Sequence, residues 1–257
     1  MDQVSGHAAA FDLTGRVAVV TGSSRGIGLV IAQRLRMAGA AVLRNARTSE
    51  GVAADPIDGD RPFMDFFAAD VATEEGARLL VRAAVARFGR LDVLVNNAAI
   101  QSPGSWDEGG SAAWDRMLAM NLCGMHQVVR EAVPAMVAAG SAGSIINIAS
   151  VRADRPGVGM LHYSTTKAAV LGLTRALAAE LGPKGIRVNA VSPGLVDRPG
   201  LRDSWPEGIS AFSRDAPLGR IGQPHDVANA CVFLAGAASD WITGINLVVD
   251  GGITLVR

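Results

Sequence analysis

A short β-branched run at residues 16–21 (RVAVVT) passes directly into Gly22-Ser23-Ser24-Arg25-Gly26-Ile27-Gly28, and then into a helically spaced apolar pattern that continues through Met37. Strand, glycine turn and helix in that order constrain the chain more than any other stretch. Glycine adopts backbone angles denied to other residues and lets a ligand approach the main chain. The helix that follows presents free N–H groups and the positive end of its dipole. The spacing is G-x-x-x-G-x-G rather than G-x-G-x-x-G. A glycine cluster alone also serves ordinary turns; its place between a first strand and a first helix points to a dinucleotide site.

The same alternation continues along the chain. Residues 40–47 read as a second strand, 66–71 as a third ending at Asp70, 91–99 (LDVLVNNAA) as a fourth, 144–149 as a fifth, 186–192 as a sixth and 245–249 as a last. Helical patterns fall between them at residues 73–88, capped by Thr73, and at 111–139, 164–181 and 223–235. Strand and helix in alternation predict an α/β fold. The expected form is a single-domain Rossmann-like doubly wound parallel sheet of about seven strands, flanked by helices on both faces. It is expected to span residues 11–257, after a loose leader at residues 1–10. Residues 51–65 form a polar loop without internal period. Residues 195–217, rich in Pro, Gly and charge, read as a long loop, either a lid or loose surface. The 164–181 helix is apolar around most of its circumference and so must be covered on more than one face, which suggests a subunit interface.

Composition narrows the partners. With 49% hydrophobic and 19% charged residues the chain is that of a globular protein. Lys plus Arg and Asp plus Glu both total 24, and no basic run could track a phosphate backbone, so nucleic acid is not an expected partner. No run of about 18 apolar residues indicates a membrane span, and Asp2 stands where a signal peptide would carry basic residues. Cys123 and Cys231 have no CxxC or Cys/His spacing. They read as buried free thiols of a reducing, cytoplasmic setting.

Chemistry concentrates between residues 150 and 167. Tyr163 is the only tyrosine of the 257 residues, and Lys167, one of two lysines, follows it at four places, the spacing that puts both on one helix face. A fixed cation beside a phenol favours the phenolate and lowers its pKa, which turns a poor acid/base into a usable one. Ser150 follows the fifth strand, at the carboxyl edge where open α/β sheets bind ligands. At the end of the second strand the chain offers Arg47, with no carboxylate until Glu50. Together with Arg25 this favours the 2′-phosphate of NADP(H), with NAD(H) as the alternative. The competing reading of Arg47 is a solvated loop end.

Taken jointly, Thr21-Gly22-x-x-x-Gly26-Ile27-Gly28, Asp70, Asn96-Asn97-Ala98-Ala99, Asn121, Ser150, Tyr163 with Lys167, Pro193-Gly194 and the closing Asp250-Gly251-Gly252 resemble the short-chain dehydrogenases/reductases, over about residues 11–252. Within them the chain is most similar to the branch of 3-oxoacyl-carrier-protein reductases. The resemblance implies Tyr163 as acid/base, Lys167 holding the nicotinamide ribose, Ser150 polarising the substrate oxygen and Asn121 holding a water that relays protons. It implies cofactor contacts at Gly22, Ser24, Arg25, Gly26, Ile27 and Gly28, and at Asp70, Val71, Asn97, Ala98 and Ala99. Pro193, Gly194 and Val196 would lie by the nicotinamide. It requires no metal. Members are commonly tetramers, so a homotetramer or homodimer is expected. The chain departs from the family at Ala99, where glycine is frequent, and at Arg198, where a cofactor-contacting threonine is common. The expected activity is NADP(H)-dependent hydride transfer between nicotinamide and a small-molecule carbonyl or alcohol. A sugar, polyol or other secondary-alcohol dehydrogenase is the alternative, and a non-catalytic dinucleotide-sensing regulator is the alternative of another class.

Overall fold

The structure is a computed structural model describing residues 10–50, 52, 63–108, 110–140 and 142–256. Seven strands form one parallel sheet: β1 (Val17–Val20), β2 (Ala41–Ala46), β3 (Met64–Ala68), β4 (Val93–Asn96), β5 (Ser144–Ile148), β6 (Arg187–Pro193) and β7 (Asn246–Val249), in the spatial order β3-β2-β1-β4-β5-β6-β7. The order reverses between β1 and β4, which opens the crevice where doubly wound sheets bind nucleotides.

Period-two alternation sorts the strand residues onto two faces. Val19, Leu43, Leu94 and Ile145 face α2 (Glu74–Phe88), α4 (Gly124–Ala138) and α5 (Leu161–Leu181). Ala18, Val20, Val42, Val95 and Ile146 face α1 (Gly26–Met37) and α8 (Pro224–Ala235). Both faces are covered, so β1, β4 and β5 are buried throughout, which is why they read as near-continuous apolar runs. Thr73 caps α2 as expected, accepting from Gly76 N at 3.0 Å. At the start of α8, Asp226 Oδ2 accepts from Gln223 N at 2.7 Å.

Three expectations are revised. Residues 111–139 are not one helix: α3 (Gly110–Leu118) and α4 are joined by a π-helical segment, Ala119–Cys123, with Asn121 at its centre. Residues 195–217 are not a bare loop. They contain α6 (Leu201–Ser204) and α7 (Pro206–Asp215), which share a small core of Leu201, Ile209 and Ile221 with Leu195 and Phe212 against it. Cys123 is exposed, whereas Cys231 is buried and its thiol is pushed well above the ordinary range by burial. The chain closes with α9 (Ile253–Val256). Most of the 51–65 loop and of the leader lies outside the described residues; Ala10 is held, its carbonyl accepting from Ala238 N at 3.0 Å.

Arg44, which interrupts β2, lies opposite Phe66 of β3 in register, with its guanidinium carbon 5.8 Å from the ring centre. An aromatic face is a stable seat for a guanidinium held inside a sheet.

Candidate active site

Two clusters meet along the carboxyl edge of the sheet. The first joins the ends of β1 and β4. Thr21 Oγ1 accepts from the main-chain N–H groups of Asn97 and Ala98, each at 3.0 Å. Asn97 Nδ2 donates to the carbonyls of Thr21 at 3.0 Å and Gly22 at 2.9 Å. These bonds hold the glycine turn. They also leave no space: a Cβ on Gly22 would lie 2.7 Å from Ala98 Cα, and one on Gly28 would lie 2.4 Å from Asn97 Nδ2. Gly26 differs, with φ +60° and nothing within 4 Å of the place a Cβ would take.

Beside the turn runs a groove of about 510 Å³ whose lining includes Gly22, Ser24, Arg25, Arg47, Asp70, Val71, Ala98 and Ala99. Its donor set suits a dinucleotide: main-chain approach at glycine, a helix N-terminus without a carboxylate in its first turn, and two arginines. Gly28 and Asn97 stand behind the groove, supporting it. Ile27 packs towards the α1 core. Asn45 and Ile100, which the sequence reading missed, also line it. Asn45 Nδ2 donates to the carbonyls of Phe67 and Ala69, both at 3.1 Å, tying β2 to the exit of β3.

The second cluster joins β5, the π segment and α5. Ser150 follows β5 and caps a short turn, Val151–Ala153, its Oγ accepting from Arg152 N at 3.1 Å. Tyr163 lies in the first turn of α5, and its phenol is within the influence of the Ser150 hydroxyl. Lys167, one turn further, is buried; its Nζ donates to the Ile148 carbonyl at 2.6 Å and lies 5.7 Å from the centre of the Tyr163 ring. Burial lowers the lysine pKa to about 8. Burial also raises the Tyr163 pKa above its ordinary value, against the opposing pull of the Ser150 hydroxyl and the Arg152 charge. The expected lowering of the phenol by Lys167 is not among the influences at work here: burial outweighs the pull of Ser150 and of the Arg152 charge.

Asn121 is fully enclosed, and its amide is engaged on both sides. Oδ1 accepts from Ile100 N at 2.8 Å, while Nδ2 donates to Ile100 O at 2.9 Å and Thr166 Oγ1 at 3.2 Å. Thr166 in turn donates to the Tyr163 carbonyl at 2.8 Å. A second buried chain, Asn96 Nδ2 to Asn147 Oδ1 and Asn147 Nδ2 to Thr174 Oγ1, both at 3.0 Å, fixes α5 to β4 and β5. The sequence reading missed Thr166, Asn147 and Thr174. Asn147 and Thr174 are polar residues in apolar runs, and that was the available signal; Thr166 lies in the polar stretch of residues 163–167 and gave none.

Pro193 ends β6 beside this cluster, and Gly194 N donates to Val249 O at 3.0 Å. Phe212 of α7 approaches Gly194 so closely that a Cβ there would meet its ring at 3.3 Å. Val196 bridges to Gly222. Arg198 is exposed, in a separate hollow with Asp197 and Arg202. Among the described residues no cluster of three or more His, Cys, Asp or Glu side chains is placed to hold a metal.

A family model described as enoyl-(acyl carrier protein) reductase matches residues 22–254. The chain belongs to the short-chain dehydrogenase/reductase family. It is 36% identical over 245 residues to a 2,5-dichloro-2,5-cyclohexadiene-1,4-diol dehydrogenase of Sphingobium indicum, covering 93% of this chain and 96% of that one. It is 38% identical over 250 residues to a D-threitol dehydrogenase of Mycolicibacterium smegmatis, covering 95% of each. The structure of a gluconate 5-dehydrogenase from Burkholderia cenocepacia, in complex with NADP and tartrate, superposes with a TM-score of 0.91 at 35% identity, over 98% of this chain and all of that one. As a short-chain dehydrogenase/reductase the protein is an oxidoreductase acting on CH–OH donors with a nicotinamide acceptor, which displaces the regulator alternative. No helix among the described residues is long and apolar enough to cross a membrane.

Proposed function

We propose that this chain interconverts a secondary alcohol and its carbonyl with NADP(H), and that Tyr163 moves the proton. The observation that carries the reading is the convergence of Ser150, Tyr163, Lys167 and Asn121 beside the dinucleotide-sized groove. The glycine turn with Ser24 and Arg25 would hold the diphosphate. Asp70 and Val71 would border the adenine, Asn97 to Ala99 the adenosine ribose, and Pro193, Gly194 and Val196 the nicotinamide. Arg47, exposed at the groove's end, would pair the 2′-phosphate. When bound, the nicotinamide supplies or accepts the hydride.

The residues of the chain then manage the oxygen. Raised by burial, the phenol is protonated at neutral pH, the state needed to donate to a carbonyl oxygen during reduction. Ser150 already accepts from Arg152 N, so its own proton is available to the substrate oxygen. Two donors on that oxygen stabilise the negative charge it develops. Lys167 holds the end of β5 against α5 and keeps a cation near the phenol for the reverse direction, where Tyr163 must accept the proton. Asn121 fixes residue 100 at the rim and would hold the relaying water.

Of the two substrate readings we put a small secondary alcohol or polyol first: relatives spanning nearly the whole chain are named for a diol, threitol and gluconate, while one at 40% identity is named for a hydroxyacyl-CoA and keeps the thioester reading as the second. Alcohol and carbonyl panels run with both nicotinamides test the reading. It fails if no member turns over, or if Tyr163→Phe retains full activity. A clear preference for NADH over NADPH in kcat/KM overturns the role of Arg47. Self-association into a homodimer or homotetramer is supported by the hollow of about 410 Å³ on α4 and α5, lined by Leu122, Ala169 and Leu173 among others; sedimentation as a monomer would refute it. The free thiols support a cytoplasmic location.

A further inference from the structure

We infer that Arg152 is the recognition group for a carboxylate carried by the substrate, so that hydroxy acids and oxo acids are preferred over neutral alcohols. The inference rests on the carbonyl–alcohol reading given above and adds the substrate's charge to it. Arg152 stands two residues after Ser150, in the turn that Ser150 caps, and its main-chain N–H holds the Ser150 hydroxyl. Any substrate oxygen that meets Ser150 and Tyr163 therefore lies next to this arginine's backbone.

The guanidinium is exposed to solvent and anchored by one hydrogen bond. Its Nη1 donates to the Arg155 carbonyl at 3.3 Å, and it lies against the main chain of Gly157, where a Cβ would come within 3.1 Å of Nη1. Any larger residue at 157 would have to push it away. The other charged groups of the segment are turned elsewhere. Asp154 Oδ2 accepts from Asn246 Nδ2 at 3.4 Å, and Arg155 Nη2 donates to the Thr254 carbonyl at 3.3 Å, both towards the carboxyl-terminal end of the chain. Arg152 forms no ion pair among the described residues, and its charge is felt at the Tyr163 phenol. A guanidinium has five donors in a planar fork, and a single carbonyl at 3.3 Å leaves most of them for a ligand. A carboxylate is the group whose geometry matches that fork, and a neutral hydroxyl gains far less from it.

The test compares D-gluconate with D-sorbitol, a pair differing in a carboxylate against a hydroxymethyl group, in which gluconate presents secondary alcohols at successive distances from its charge. Wild type, Arg152→Ala and Arg152→Lys are assayed with NADP⁺ and NAD⁺, and calorimetry measures binding of 2-hydroxyisobutyrate, an acid that cannot be oxidised, to the protein loaded with NADP⁺. Wild type is expected to favour gluconate by at least about tenfold in kcat/KM. Arg152→Ala is expected to lose about 10- to 100-fold more on gluconate than on sorbitol, mainly through KM, and to weaken binding of the inert acid similarly. Arg152→Lys should recover part of the loss. Sorbitol used as well as gluconate by the wild type, or equal loss on both alcohols in Arg152→Ala, overturns the inference and leaves the alcohol dehydrogenase reading intact. Absence of turnover of either alcohol, and of every member of the wider panel, removes that reading and the inference with it.

Discussion

Lys167 stands with its ammonium 5.7 Å from the centre of the Tyr163 ring while donating a 2.6 Å hydrogen bond to the carbonyl of Ile148. A lysine so enclosed holds its proton weakly, and burial takes its pKa from the ordinary 10.5 to about 8. The folded protein therefore binds fewer protons here than the unfolded chain between those two values. Stability rises with pH wherever the unfolded state binds more protons. The cost of the buried charge is fully present below pH 8 and disappears as pH climbs towards 10.5. Melting temperatures of wild type and Lys167→Met, measured from pH 7 to 10.5, should show the wild type gaining on the variant across that window. A constant difference would mean that the lysine is not appreciably desolvated.

Tyr163→Phe keeps the ring that fills the site and removes only the hydroxyl beside Ser150. Stability should change by about 1 kcal/mol or less, the net worth of an ordinary hydrogen bond. Turnover should fall by about 10²- to 10⁴-fold, the usual contribution of a positioned acid/base. Thermal melts and steady-state rates on the same preparation separate the two effects.

Asn121→Ala exposes a different dependence. Ile100 N and Ile100 O are both satisfied by one amide, so truncation leaves two part-buried main-chain groups at the rim of the groove without that partner. A loss of about 1–3 kcal/mol per unpaired group is expected. Asn121→Asp should not rescue it, because a carboxylate can still accept from Ile100 N but faces Ile100 O without a donor. Chemical denaturation of the two variants checks both statements; a stable Asp variant would show that the donor to Ile100 O is dispensable.

Much of the fold was legible because its signal is local. The buried runs at β1, β4 and β5 and the cap of α2 announce themselves in the sequence, and the glycine turn falls where strand meets helix. The residues around Ser150 were legible for a similar reason: a unique tyrosine and a rare lysine one helical turn apart stand out. What escaped depends on contacts remote in sequence. The π segment around Asn121 answers a partner 21 residues away, Ile100, and no spacing rule reveals it. Helices α6 and α7 are short and broken by Pro and Gly, and they are supported by packing of Leu201 and Ile209 on Ile221 rather than by propensity. Arg44 interrupts β2, and what accounts for it, the Phe66 ring of the neighbouring strand, lies 22 residues on.

Two glycines of the same turn should differ in how strongly their substitution weakens cofactor binding. At Gly28 an added Cβ would sit 2.4 Å from Asn97 Nδ2 and 2.5 Å from the Gly22 carbonyl, so Gly28→Ala must displace the clamp between β1 and β4. Overpacking of that kind costs about 1–3 kcal/mol. At Gly26 the same methyl meets nothing within 4 Å, and the cost is the left-handed backbone at φ +60°, about 1–2 kcal/mol for a residue with a Cβ. Stability alone will hardly distinguish them. Cofactor binding should: Gly28→Ala disturbs the groove only by shifting its rear support, whereas the methyl of Gly26→Ala enters the open space at the start of α1, where a diphosphate would meet the main chain. Fluorescence titration with NADPH should therefore show the larger loss of affinity, about tenfold or more, in Gly26→Ala. The reverse order would move the phosphate site away from Gly26 and towards the packed side of the turn.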